Sequence, residues 1–142
     1  MLKLRGRPEV DYISMQDSAV ITAEPWGKYI ASGFKRSEIE HALDPSVQPT
    51  VFKLRALSRT QCVSLDVKTA DIERTAQQDD QIIAYGLRGI VGMAGVNVVL
   101  TGAGDRERVD EATMNLVFDR PDLRRELATI IVRLSSLVPL DA

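Results

Sequence analysis

The run Val98-Val99-Leu100-Thr101-Gly102-Ala103-Gly104 holds the spacing nearest to a known chemistry. A short apolar, β-branched stretch followed by Gly-x-Gly is how a strand leads into a dinucleotide-binding loop. That loop needs three glycines: one for the turn, one for approach to the pyrophosphate, one for helix packing. Here the third position is Glu107, an anion where a phosphate should sit. Little chain remains downstream for the parallel strands of a doubly wound sheet. The other reading is a plain turn between a strand and a helix. A small ligand- or nucleotide-binding domain built on Thr101-Gly102-Ala103-Gly104-Asp105 is therefore the rival functional class.

Other chemistry-bearing residues are sparse. His41 is the only histidine and Cys62 the only cysteine. They supply neither a multi-histidine metal site nor a zinc cage, and no intrachain disulfide is possible. No Gly-x-Ser-x-Gly elbow exists to present a serine nucleophile. His41 is expected on the surface of a short helix, and Cys62 as a small core residue. Asp79-Asp80 and Asp110-Glu111 are adjacent carboxylates. Sequence neighbours diverge by a large angle around a helix, so solvated faces are expected for both pairs. An acid dyad formed across the fold stays open. No catalytic residue, metal or cofactor is expected, and the chain is read as non-enzymatic.

Two groups of apolar residues are the candidate partner-binding set. Trp26, Tyr29 and Phe34 cluster in sequence, and aromatics dominate interface hot spots. Leu123, Leu127, Ile131 and Leu134 fall on one stripe of a helix. Both groups have an alternative as core of the chain's own fold.

The elements that position these residues follow from periodicity. The first third, 1–49, is turn-rich. Ala19-Val20-Ile21-Thr22 is a β-prone run, and Glu24-Pro25-Trp26-Gly27 is a turn by composition. Ser37 and Glu40 have capping-box spacing, which predicts a helix to Leu43, stopped before Pro45. Residues 50–57 read as a strand, with Phe52, Leu54 and Ala56 on one face and Lys53 and Arg55 on the other. Residues 60–68 satisfy two templates. Val63, Leu65 and Val67 alternate as in a strand, while Ser58 and Gln61 have capping-box spacing for a helix.

Residues 71–91 read as a helix with Ile72, Ala76, Ile83, Leu87 and Ile90 on one face. Glycines 86, 89, 92 and 95 either permit a close helix contact or end that helix near 86–92. A strand is expected over 96–100, a loop over 101–105 and a short helix over 110–117. Asp119, Pro121 and Asp122 mark the start of a final helix. Its stripe runs through Leu123, Leu127, Ile130, Ile131, Leu134 and Leu137. The class is thus α+β, with short strands in the N-terminal half and centre and helices dominating after residue 71. One domain spanning 1–142 is expected.

Composition adds exclusions. Hydrophobic residues make up 44% and charged residues 27%, an ordinary globular mix that argues against disorder of the whole chain. The net charge of −2 gives no global electrostatic reason to bind nucleic acid. Lys3, Arg5 and Arg7 form only a short basic patch. The start lacks the apolar stretch of a signal peptide. The longest apolar run, 82–100, is broken by Arg88, Asn97 and four glycines, so no membrane span is expected.

From Thr50 onward the chain resembles small accessory proteins of tailed bacteriophages, nearest to tail assembly chaperones. The resembling features are Thr50-Val51-Phe52-Lys53-Leu54-Arg55-Ala56-Leu57-Ser58 and the glycine-punctuated middle around Tyr85 to Gly95. The third is Glu126-Leu127-Ala128 running through Ile131 to Leu134-Ser135-Ser136-Leu137. About two thirds of the chain is covered, and the turn-rich start departs from the pattern. The resemblance implies a non-catalytic protein that binds other phage proteins during assembly, in repeated copies or as a homo-oligomer. It places the chain in the host cytoplasm during assembly, or in the virion as a head, connector or tail component. It carries over no functional residues.

Overall fold

The computed structural model describes residues 8–65, 74–93, 96–99 and 119–135. The class is mixed α+β. Four antiparallel strands form one sheet in the order β1-β2-β3-β4: β1 Glu9–Tyr12, β2 Val51–Arg55, β3 Leu87–Met93 and β4 Val96–Val99. Four α-helices accompany it among the described residues: α1 Trp26–Ala31, α2 Arg59–Ser64, α3 Ala76–Gly86 and α4 Pro121–Ser135. Helices α3 and α4 pack on each other and on β2.

Strand pairing sorts the side chains into an apolar inner face and a charged outer face. Tyr12 pairs with Phe52, and Phe52 with Ile90, so these three share the inner face; Leu54 and Leu87 share it too. All five are buried. Glu9 lies opposite Arg55 and Asp11 opposite Lys53 on the outer face. Opposite charges on facing strands stabilise the pair directly across the ladder. Between β2 and β3 the register shifts: Gly89 pairs with Lys53 but Leu87 with Leu54. Arg88 is the extra residue of this bulge.

β1 lies where no strand was expected, in the turn-rich first third. Val10 and Tyr12 alternate with Glu9 and Asp11, the period of a half-buried strand. The run 19–22 forms only a single bridge, Val20 to Leu43, and Ile21 is exposed. Trp26 opens α1 rather than closing a turn, with Pro25 just before it. The helix expected from Ser37 to Leu43 is instead two 3-10 turns, Arg36–Glu38 and Glu40–Ala42, and Ser37 makes no capping bond. His41 is exposed on the second of them.

The open choice at 60–68 falls to the helix as far as it is described. Ser58 Oγ accepts from Gln61 N at 3.1 Å and Gln61 Oε1 accepts from Ser58 N at 3.0 Å. This reciprocal box satisfies two donors that a strand would have left to a neighbour. Val63 then points to solvent and Leu65 is buried.

The helix expected over 71–91 is shorter, and its end near 86–92, one of the two readings of its glycines, holds. It starts at Ala76, capped by Thr75 and Gln78, and ends at Gly86; Leu87 onward is β3. Ala76 is exposed, and Leu87 and Ile90 face the core from a strand. Gly86 also makes a close helix contact: a Cβ there would sit 2.5–2.8 Å from the Ile131 side chain. The gap lets α4 approach the end of α3. The strand expected at 96–100 is present as β4. The expected loop 101–105, the helix 110–117, Val67, Ile72 and Leu137 lie outside the described residues.

α4 confirms its stripe. Leu123, Leu127, Ile130, Ile131 and Leu134 are all buried. Burying side chains of this size contributes roughly 1.5–3 kcal/mol each. Gly86→Ala is expected to force Ile131 aside and destabilise the fold by about 1–3 kcal/mol, read as a lower urea midpoint.

Candidate functional site

Two acids gather polar contacts among the described residues: Glu126, half-buried, and Asp79, buried. Glu126 lies one turn from Leu123 on α4, at the flank of the apolar stripe. Its Oε2 accepts from the Tyr12 hydroxyl at 2.5 Å and from Met15 N at 3.0 Å. Its Oε1 accepts from Ser14 Oγ at 2.8 Å and Gln16 Nε2 at 3.2 Å. A carboxylate is acceptor-only, so four donors converge on a group suited to take them. Gln16 N also donates to Ser14 Oγ at 3.0 Å, which shapes the turn around the acid.

Tyr12 holds this contact as a donor. Burial pushes its phenol well above the ordinary range, and the Glu126 charge and hydrogen bond push it further. Tyr29 is raised too, first by burial. The two rings stack with centroids 5.8 Å apart, and Phe34 meets both edge-on.

The second acid is Asp79, in the first turn of α3. It is buried, which corrects the expectation of a solvated face. Arg74 Nε lies 2.6 Å from Oδ1, and Arg125 Nη1 lies 3.2 Å from Oδ2. Arg74 also donates to Thr129 Oγ1 at 2.8 Å, and Arg125 to the Arg74 carbonyl at 3.1 Å. Asp80 points elsewhere, 3.3 Å from Arg124. As expected for helix neighbours, the two carboxylates do not share a site. Their job is to tie the start of α3 to α4. The pair Asp110-Glu111 lies outside the described residues.

Of the two readings of the candidate partner-binding residues, burial fits the core. Trp26, Tyr29, Leu123, Leu127, Ile131 and Leu134 are buried in the chain's own core, and Phe34 packs against it half-buried. Apart from Phe34, little of their surface is left exposed in this fold. The Trp26 indole donates to the Ile13 carbonyl at 2.9 Å. The Tyr29 hydroxyl donates to the Asp11 carbonyl and accepts from Ile13 N, both at 3.1 Å. These residues therefore act on the backbone next to the Glu126 contacts.

Cys62 is half-buried on α2, and burial raises its thiol, so it is a poor nucleophile. The exposed large apolar side chains among the described residues are Met15, Ile21 and Val63. Val63 lines a shallow, open concavity of about 360 Å³ with Arg59, Thr60 and Ser64. Among the described residues, no group of three His, Cys, Asp or Glu converges to hold a metal ion, and no helix is long and apolar enough to cross a membrane.

No protein-family model, curated protein or solved structure matches this chain.

Glu126→Gln replaces an acceptor by a donor facing other donors, and should cost about 1.5–3 kcal/mol in chemical denaturation. Asp79→Ala leaves the largely buried Arg74 without its carboxylate, and should cost about 3–5 kcal/mol by the same measurement. Tyr12 sets an alkaline limit. Its raised folded value means stability is full below the ordinary 10.0 and is lost as pH rises above it. A far-UV dichroism titration from about pH 8 to 12 should show unfolding on the alkaline side.

Proposed function

We propose that this chain is a non-enzymatic assembly or structural protein that works through contacts with other proteins. Within that class the reading is an accessory protein of a tailed bacteriophage, like a tail assembly chaperone. The observation that supports it is the commitment of the two acids Glu126 and Asp79 to the fold itself. Glu126 is met by four donors and Asp79 by two arginines, each joining segments far apart in sequence. Groups held this way position backbone; they are not poised toward a substrate.

Contact then falls to the surface. The outer sheet face carries Glu9, Asp11, Lys53, Arg55 and Arg88, with acids and bases interleaved. Interleaved charge selects partners by complementarity and rejects like-charged ones. A repeated position in a symmetric assembly would use the same face many times.

The test is light scattering on the purified chain together with a thermal-shift panel of nucleotides. The expected result is a multiple of the single-chain mass, with no nucleotide raising the melting temperature. A single-chain mass together with a nucleotide-dependent rise would instead favour ligand binding through the 101–105 loop. Turnover of a small substrate, abolished by one side-chain change, would overturn the reading.

A further inference from the structure

Among the described residues no strand pairs with the far edge of β1, and side chains of α1 meet part of that edge. In this ladder Ala56 N donates to the Pro8 carbonyl at 2.9 Å. Backbone groups alternate sides along a strand, so Val10 and Tyr12 face β2 while Glu9, Asp11 and Ile13 face away from the sheet. On that far side, Tyr29 and Trp26 take up the Asp11 carbonyl, the Ile13 N–H and the Ile13 carbonyl at 2.9–3.1 Å. Unpaired edge groups of this kind are what an added strand would bind.

The strap that delivers these two rings is short and locally weak. α1 has six residues, no side-chain N-cap and no acid in its first turn. It is closed at its C-terminus by a Schellman turn. Phe34 N donates to the Tyr29 carbonyl at 2.9 Å and Gly33 N to the Ile30 carbonyl at 3.2 Å. Gly33 and Phe34 have φ of 81° and 66°. The first suits glycine; the second is unfavourable for a bulky residue. The turn is held by the Phe34 ring, 5.6 Å from the Tyr29 ring. So α1 holds its place through its aromatic contacts and its bonds to β1, rather than through intrinsic helix stability.

We infer that α1 is an edge guard: Trp26 and Tyr29 occupy the backbone groups through which β1 would otherwise pair with β1 of a second copy. A second copy is the occupant because an antiparallel edge is self-complementary about a two-fold axis. Glu9 and Asp11 form a weaker second guard. In such a pairing the acids of both copies would meet across the seam, a repulsion that salt screens. The inference does not rest on the functional reading above.

The experiment compares Tyr29→Phe and Trp26→Phe with the wild-type chain at equal concentration. Both changes keep a ring in the aromatic cluster; Tyr29→Phe removes only the polar cap, while Trp26→Phe also shrinks a buried ring. The readouts are light scattering at low salt and at about 1 M salt, where the Debye length falls to about 3 Å, and hydrogen exchange at the Ile13 amide. The expected result is an average mass at least double that of wild type, larger at high salt, with the Ile13 amide protected in the associated form. An unchanged mass in a folded variant would overturn the inference, whether or not Ile13 exchanges faster. So would association that leaves Ile13 unprotected. If Trp26→Phe does not fold, Tyr29→Phe decides alone, since its ring contacts are unaltered.

Discussion

The Glu126 carboxylate sits where α4 passes the end of β1, and donors from Tyr12, Ser14, Met15 and Gln16 all turn toward it. This contact joins residues more than a hundred positions apart. It fixes the turn after β1, and through Tyr12 it fixes one end of the inner sheet face. The aromatic cluster is built on that same tyrosine. Trp26 and Tyr29 then hold the opposite side of the segment, at Asp11 and Ile13. One short stretch is thus gripped from two directions, by an acid from the last described helix and by rings from the first.

A second tie works by similar physics through Arg125, the neighbour of Glu126 on α4. Asp79 draws in Arg74 and Arg125, and the small Gly86 lets Ile131 close the gap between α3 and α4. Buried ions of this kind often add little net stability against a hydrophobic alternative, but a broken pair is heavily penalised. Ser135 adds a neutral tie, accepting from Leu57 N at 2.9 Å and donating to the Ile131 carbonyl at 2.7 Å.

This arrangement reassigns the residues most suggestive of function. Large aromatics and a leucine stripe fit a binding surface and a core equally well in sequence, because both need apolar area. Here the fold has claimed that area, and Trp26 and Tyr29 serve as polar caps as well as core. Among the described residues, what is left outside includes a charged sheet face and the scattered apolar side chains Met15, Ile21 and Val63. Recognition by such surfaces depends on charge pattern and symmetry more than on deep pockets.

Local rules were enough for β2, β4 and α4; over 58–68 they left a strand and a capped helix open, and the structure takes the helix over Arg59–Ser64. The first three are written in a period or a proline, and none of them needs a distant partner. β1 and the true start of α3 were equally readable, in the alternation of residues 9–12 and in the Thr75–Gln78 box. The end of α3 was half readable. Glycines 86–92 offered it as one of two readings, but the apolar positions continue in helical phase through Ile90, and the pairing of β3 with β2 decides that the chain extends there. The roles of Glu126 and Asp79 were hidden. An acid on a helix looks solvated until packing brings donors to it, and those donors lie 46 to 114 residues away for all but Arg74. The sequence alone determined which segments are apolar and where several elements begin. Tertiary structure decided which polar groups are buried, because burial is set by what arrives from elsewhere in the chain.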